Sequence, residues 1–165
     1  MAHDVPILPA AVVGPADINR LMREVDNINE HLLQVKLRQV DSPERLPETT
    51  RIMDEISAVN KLNLLKDGDR KRLLDFLKAV KAQAPVIHMS FASEPTPDFL
   101  DKLITWIRQE INAYVLLTIG LQPTIGAGCI LRTANRYWDL SLQQTLFQQR
   151  RLLMKKLVPE VNAEQ

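Results

Sequence analysis

The chain has 165 residues, of which 45% are hydrophobic and 25% charged, and its formal net charge is +1 at pH 7. This length suits one domain or two small ones and is sufficient to bury a hydrophobic core. The composition is ordinary for a globular protein, and the near-neutral charge argues against a general affinity for nucleic acid or anionic membranes. A single cysteine, Cys129, excludes an internal disulfide and favours a reducing compartment.

The N-terminal residues 1–15 are predicted to form a flexible tail. Pro6, Pro9 and Pro15 interrupt an apolar run and favour an extended backbone. An alternative remains open, in which this apolar tail docks onto a partner. No signal peptide is expected, because the first residues lack a basic cluster and proline breaks the apolar stretch that follows.

Residues 16–84 are predicted to form a helical region of about three helices. In the first helix, apolar residues recur every three or four positions over about five turns. This seam consists of Ile18, Leu21, Val25, Ile28, Leu32 and Val35. Two interpretations stay open: a core helix of an intramolecular bundle, or a partner-binding helix with these six residues as contacts. Two further helices are predicted over about 47–65 and 70–83, with a turn between them at residues 67–69.

Residues 85–158 are predicted to form a small domain with the order β-α-β-β-β-α, and residues 159–165 a second tail. The predicted elements are a strand at 86–91, a helix from Pro97, a strand at 115–119, a hairpin of strands 129–133 and 136–138, and a helix at 142–158. The fold class is therefore α+β. The apolar run at 115–121 is much shorter than the roughly 20 residues that cross a bilayer, so no direct membrane insertion is expected.

The most informative motif begins with the small residues Ala127 and Gly128, continues through an apolar strand to Arg132, and ends at Asp139 and Ser141. Only small side chains permit a close backbone approach, and Asp or Ser oxygens commonly cap the first amides of a helix. This order and spacing resemble the C-terminal segment of the delta subunit family of F-type ATP synthases, the oligomycin-sensitivity-conferring protein of mitochondria. That family has glycine at the position of Ala127 and also between its Asp and Ser, where this chain has Leu140.

The resemblance implies a peripheral-stalk connector that links the catalytic F1 head to the stalk b subunits and resists torque during proton-driven ATP synthesis. The implied partners are F1 alpha subunits, bound in the family by its helical bundle, and stalk b subunits, bound by its C-terminal part. The implied location is peripheral, on the cytoplasmic side of the cell membrane. The helical region is shorter here than in the family, which has five or six helices.

No catalytic, cofactor-binding or metal-binding residues are predicted, and no small-molecule substrate. Asp139 and Ser141, together with His88 or Cys129, are residue types that nucleophilic catalysis uses, but a capping role explains both oxygens. The three histidines lack the close spacing of metal ligands. Gly126 and Gly128 are not followed by the lysine and serine of a phosphate-binding loop. The sequence thus predicts a subunit that is not an enzyme.

A basic cluster, Arg150, Arg151, Lys155 and Lys156, lies in the second half of the predicted last helix. Such charges favour the negative end of the helix dipole, and they could also receive an acidic stalk helix. A nucleic-acid-binding adaptor that uses this cluster is an alternative function, although the lack of Gly-rich or aromatic-rich signatures argues against nucleic acid as a partner. The other alternative is an E-type stalk subunit of an archaeal or vacuolar-type ATPase, but Pro43 and Pro47 break the long first helix of that family.

Overall fold

The computed structural model describes residues 6–37 and 47–142, and these form an α+β structure with a mixed four-stranded sheet. The described helices are α1 (Pro15–Leu37), α2 (Arg51–Val59), α3 (Asp67–Gln83) and α4 (Pro97–Glu110). The strands are β1 (Val86–Phe91), β2 (Leu116–Leu121), β3 (Gly128–Arg132) and β4 (Tyr137–Ser141), with a short 3-10 helix at Pro123–Ile125. The predicted closing helix at 142–158 and the tail at 159–165 lie outside the described residues, except for Leu142.

The strand order in the sheet is β2-β1-β3-β4. Both β1–β3 and β3–β4 are antiparallel, and Met89, Leu131 and Trp138 stand side by side across the three strands. β1 and β2 are parallel, because Leu116 N donates to Pro85 O at one end and Gln122 N donates to Phe91 O at the other. The connection between β1 and β2 runs through α4, as a parallel pair requires.

The structure divides into two compact units. The first contains the described chain up to Val86 together with Thr96–Thr118, and the second contains Ile87–Pro95 together with the described residues from Ile119 onward. The boundary predicted at residues 84–85 is therefore displaced, because α4 and the start of β2 group with the three N-terminal helices. No sequence pattern marks this grouping, which depends on long-range contacts of α4.

The core of the first unit lies along α1. Apolar side chains of α2 and α3 pack against the α1 seam and include Met53, Ile56, Leu73 and Leu77, each at most 2% exposed. Glu24 of α1 accepts hydrogen bonds from both the amide and the hydroxyl of Thr50, at 2.6 and 2.7 Å, and Thr50 caps α2. Residue 50 therefore lies beside the middle of α1, so residues 15–59 do not form a single long helix.

The bounds of α2 and α3 differ from the prediction, and α2 begins at Arg51 and not near residue 47. α2 ends at Val59 and not near residue 65, since Asn60 turns its side-chain amide back onto Ile56 O and Lys61 adopts a φ of 52°. α3 begins at Asp67, so the acidic residues predicted to form a turn instead form its first helical turn. Acidic side chains there interact favourably with the positive end of the helix dipole.

Residues 6–14 form a strap, the name used below for this segment, where the sequence predicts a flexible tail. Leu8 is 5% exposed and Val12 is fully buried, and both belong to the core of the first unit. Gly14 marks a close approach, because a β-carbon there would lie 2.6 Å from Leu117 O. The strap is therefore an integral part of this unit.

Candidate functional site

The hairpin β3–β4 carries the motif that the sequence analysis singles out. Gly128 pairs with Ser141 across the hairpin and has a φ of +93°, a conformation that glycine adopts without strain. A β-carbon at Gly128 would overlap the carbonyl oxygen of Leu140 and lie 3.0 Å from the α-carbon of Ser141. The two halves of the motif, separated in sequence by the apolar strand, are thus in direct contact.

Asp139 and Ser141 form a local hydrogen bond at the end of this hairpin. The Asp139 carboxylate accepts from Ser141 N at 2.9 Å, and hydrogen bonding by Ser141 lowers the pKa of Asp139. The sequence predicts both residues as helix-start caps; the structure places both in β4, and Ser141, its last residue, directly precedes the helical residue Leu142. The amide that Asp139 satisfies is therefore a strand amide, while the predicted cap of Ser141 onto Gln144 lies outside the described residues.

The remaining motif residues frame the hairpin. Ala127 accepts a hydrogen bond from Leu142 N at 2.9 Å, which ties the start of β3 to the residue after β4. Arg132 ends β3 with an exposed side chain and is paired with His88 on one side and Tyr137 on the other. The structure therefore brings all five motif residues into one hairpin, with Gly128, Ser141 and Ala127 at one end and Arg132 at the other.

The strand alternation gives the second unit an apolar and a polar sheet face. Residues on the apolar face are Met89, Phe91, Cys129, Leu131, Trp138 and Leu140. Burial decreases toward the edge strand β4: Met89 is 4% exposed, whereas Trp138 is 39% and Leu140 is 60% exposed. Exposed apolar groups of this size at a sheet edge are typical of a surface that contacts another polypeptide.

The reactive side chains considered for catalysis, Cys129, Ser141 and His88, lie apart from one another in the second unit. Cys129 points to the apolar face and Ser141 to the opposite one, so they cannot act together, and burial raises the pKa of the Cys129 thiol. His88 is level with Arg132, four residues along β3 from the Gly128–Ser141 pair. Within residues 6–37 and 47–142 there is no group of three His, Cys, Asp or Glu side chains placed to hold a metal ion.

Five of the six seam residues considered as partner contacts on α1 lie in the core. Ile18, Leu21, Val25, Ile28 and Leu32 are at most 3% exposed, and Val35 is half-buried. Since α2 and α3 cover the five buried residues, the structure favours the interpretation of α1 as a core helix of an intramolecular bundle over that of a partner-binding helix. The basic candidates Arg150, Arg151, Lys155 and Lys156 lie outside the described residues.

Arg108, a residue that the sequence analysis does not select, organises a second site in the first unit. Its guanidinium donates to the carbonyl oxygens of Leu8 (3.2 Å), Pro9 (2.7 Å), Val12 (2.6 Å) and Val115 (two bonds, both 3.2 Å). All five N–H groups are thereby satisfied by backbone carbonyls. Burial lowers the pKa of Arg108 to about 10, so the side chain remains a cation at neutral pH.

Asn60 and Tyr114 hold the outer end of the strap. Asn60 accepts from Ile7 N at 2.7 Å and donates to Ile7 O at 2.9 Å, and the Tyr114 hydroxyl donates to Pro6 O at 3.2 Å. At the other end, Leu117 N donates to Val13 O at 2.8 Å. These contacts and those of Arg108 define the strap groove, which is lined by Glu55, Val59, Asn60, Arg108 and Tyr114.

Two clefts border the outer end of the strap. One, of about 160 Å³, lies between the strap and α3, and the other, of about 570 Å³, lies between the strap, α2 and α4. Both are lined by Pro6, Ile7 and Val59. The larger cleft is lined mostly by apolar side chains and suits an apolar group, whereas the smaller one is also lined by Asn60, Lys61, Asp69 and Arg72.

The chain was also compared with known proteins. No protein-family model and no curated protein matches it. Within the described ranges 6–37 and 47–142, no helix is long and apolar enough to cross a membrane.

Proposed function

We propose that this protein is a peripheral-stalk connector of a rotary F-type ATP synthase, which links the catalytic F1 head to stalk b subunits. Its mechanism is binding: it holds the static head against the torque of the rotor and carries out no reaction. In this proposal it is a peripheral protein on the cytoplasmic side of the cell membrane.

The observation that carries the proposal is the packing of Gly128 against Leu140 and Ser141. The resemblance to the delta subunit family depends on small residues at the start of one strand and an Asp-x-Ser step about eleven residues later. Direct contact between these two positions gives the spacing a physical reason, because a larger residue at position 128 would separate the strands.

The exposed apolar edge of the second unit gives further support. Trp138, Leu140 and Leu142 are 39%, 60% and 55% exposed, which leaves apolar surface available to a partner. A connector must retain its partners under load, which requires a broad interface of about 1,600 Å² in total. In the proposed finer arrangement, a β-α-β-β-β-α domain closed by the predicted helix at 142–158 meets the stalk.

Co-purification from solubilised membranes tests the proposal. A tagged protein is expected to retain F1 alpha and beta subunits and stalk b subunits, and charge reversal at Arg150, Arg151, Lys155 and Lys156 is expected to weaken retention of b. A matched control reverses four exposed charges of α3, Lys71, Arg72, Lys78 and Lys81, and should retain b normally.

Three outcomes would contradict the proposal. Retention of archaeal or vacuolar-type stalk partners would indicate the E-type alternative. Retention of RNA or DNA that is lost on charge reversal would indicate the nucleic-acid adaptor. A protein that retains none of these chains would not be a connector.

A further inference from the structure

The hydrogen bonds that hold the strap are made to its backbone atoms. Asn60 binds both the N–H and the C=O of Ile7, and Arg108 binds three strap carbonyls. Every peptide offers these atoms, so this part of the recognition does not depend on side-chain identity. The same hydrogen bonds are therefore available to another extended segment that enters the groove.

Two side chains supply the selectivity. Leu8 and Val12 are 5% and 0% exposed, whereas Ile7, the residue before Leu8, is 60% exposed. Pro9, directly after Leu8, is buried as well. The groove therefore selects two aliphatic side chains four residues apart, with a proline after the first.

The outer end of the groove is incompletely filled. The clefts of about 160 and 570 Å³ both border Pro6 and Ile7, and Val59 on their wall is 43% exposed. A segment with a larger apolar side chain at the position of Ile7 would bury surface that the strap leaves in contact with solvent.

We propose that the strap groove is a receptor for an extended segment of a partner protein, and that the strap is its intramolecular occupant. The partner segment carries two aliphatic anchors that match Leu8 and Val12, a proline after the first anchor, and a large apolar or aromatic side chain before it. A tethered segment has an effective concentration on the order of millimolar, so a competitor must bury more apolar surface than the strap does. The clefts beside Ile7 supply that surface. This inference does not depend on the proposed function.

Peptide binding to the full-length protein tests the inference. The probe is a fluorescent peptide with the sequence of residues 6–14 and the substitution I7W, followed by fluorescence anisotropy. It is expected to bind the wild-type protein, and to bind a full-length Leu8→Asp variant at least about tenfold more tightly, because the variant no longer fills its own groove. A second peptide that carries I7W and L8D lacks the first anchor and should not bind.

The inference is overturned if the I7W peptide binds neither protein while the Leu8→Asp variant keeps its helical circular dichroism. Equal binding of the I7W and the I7W/L8D peptides would overturn it too, because that result indicates unspecific apolar adhesion. If Leu8→Asp does not fold, Leu8→Ala weakens the strap without changing the groove, and it should tighten binding of the I7W peptide about threefold or more. Equal binding to Leu8→Ala and wild type would then contradict the inference. A concentration-dependent dimer with exchanged straps would assign the groove to a second copy of the chain instead.

Discussion

At position 128 both the backbone conformation and the packing require a residue without a β-carbon. A φ of +93° disfavours any residue with a β-carbon, and the neighbouring Leu140 carbonyl leaves no room for one. Gly68, in the first turn of α3, has no atom within 4 Å of the place where a β-carbon would be. The two glycines therefore form a matched pair for mutation.

Gly128→Ala is expected to lower the free energy of unfolding by at least about 2 kcal/mol, from backbone strain and overlap together. Gly68→Ala should leave it unchanged or raise it by up to about 1 kcal/mol, because alanine favours the helix. Denaturant unfolding of both variants measures the difference. Equal stability of the two would mean that the hairpin does not need the close contact at Gly128.

Asp139 gives the hairpin a defined response to acid. Its pKa is lowered because the ionised carboxylate accepts hydrogen bonds from Ser141. A carboxyl group with a lowered folded-state pKa stabilises the protein above its unfolded-state pKa, about 3.9, and loses that contribution as the pH falls through the folded-state value.

The unfolding free energy of the wild type is therefore expected to fall as the pH is lowered from about 5 to 3, with Asp139 as one contributor. Asp139→Asn keeps an oxygen for Ser141 N but cannot be protonated in this range, so its stability should fall less steeply. Unfolding curves collected across this pH range compare the two slopes. Identical slopes would show that the bond to Ser141 does not favour the ionised form.

Among the elements, those with a local periodic pattern could be predicted from the sequence. The alternation in Val86–Phe91 gives β1 with the predicted bounds, and the three-four spacing from Ile18 to Leu32 gives α1 and its buried face. Here the residues that determine the structure are near neighbours in the chain. The seam could not, however, distinguish a core from a partner surface, since both need the same apolar stripe.

The strap could not be predicted because its stabilising contacts are distant in sequence. Arg108 is 100 residues from Leu8. Every residue has a backbone carbonyl, so the sequence does not indicate which carbonyls accept hydrogen bonds from Arg108. Proline and an apolar composition are equally typical of a tail and of a packed extended segment. The spacing of four residues between Leu8 and Val12 is the one pattern that indicates packing. A single such pair does not distinguish a packed segment from a flexible tail.

Adjacent residues of the strap test whether it contributes to stability. Leu8→Ala is expected to lower the unfolding free energy by about 2–4 kcal/mol, as for other buried leucines. Ile7→Ala, at the preceding exposed position, should change it by less than about 0.5 kcal/mol. Thermal or denaturant unfolding measures the stability of both variants. If Leu8→Ala were as stable as Ile7→Ala, residues 6–14 would be a flexible tail, as the sequence predicts, and not a packed strap.

At the scale of the whole molecule, the described residues form two compact units. The first unit is stabilised by the α1 core and the Arg108 contacts, while the second presents an apolar sheet edge at Trp138 and Leu140. The motif on which the proposed connector function rests lies entirely in the second unit. The α+β class and the motif residues could be predicted from sequence, but the unit boundary could not, because α4 joins the helices through contacts with residues 8–12.

Rebinding of the catalytic head to stripped membranes tests the connector function most directly. Membranes from the same cell are depleted of the F1 head and of this protein, and purified head is added back with or without the protein. The head is expected to sediment with the membranes, and to regain proton-coupled ATP hydrolysis, only when the protein is present. Head that rebinds and couples equally well without it would contradict the connector function.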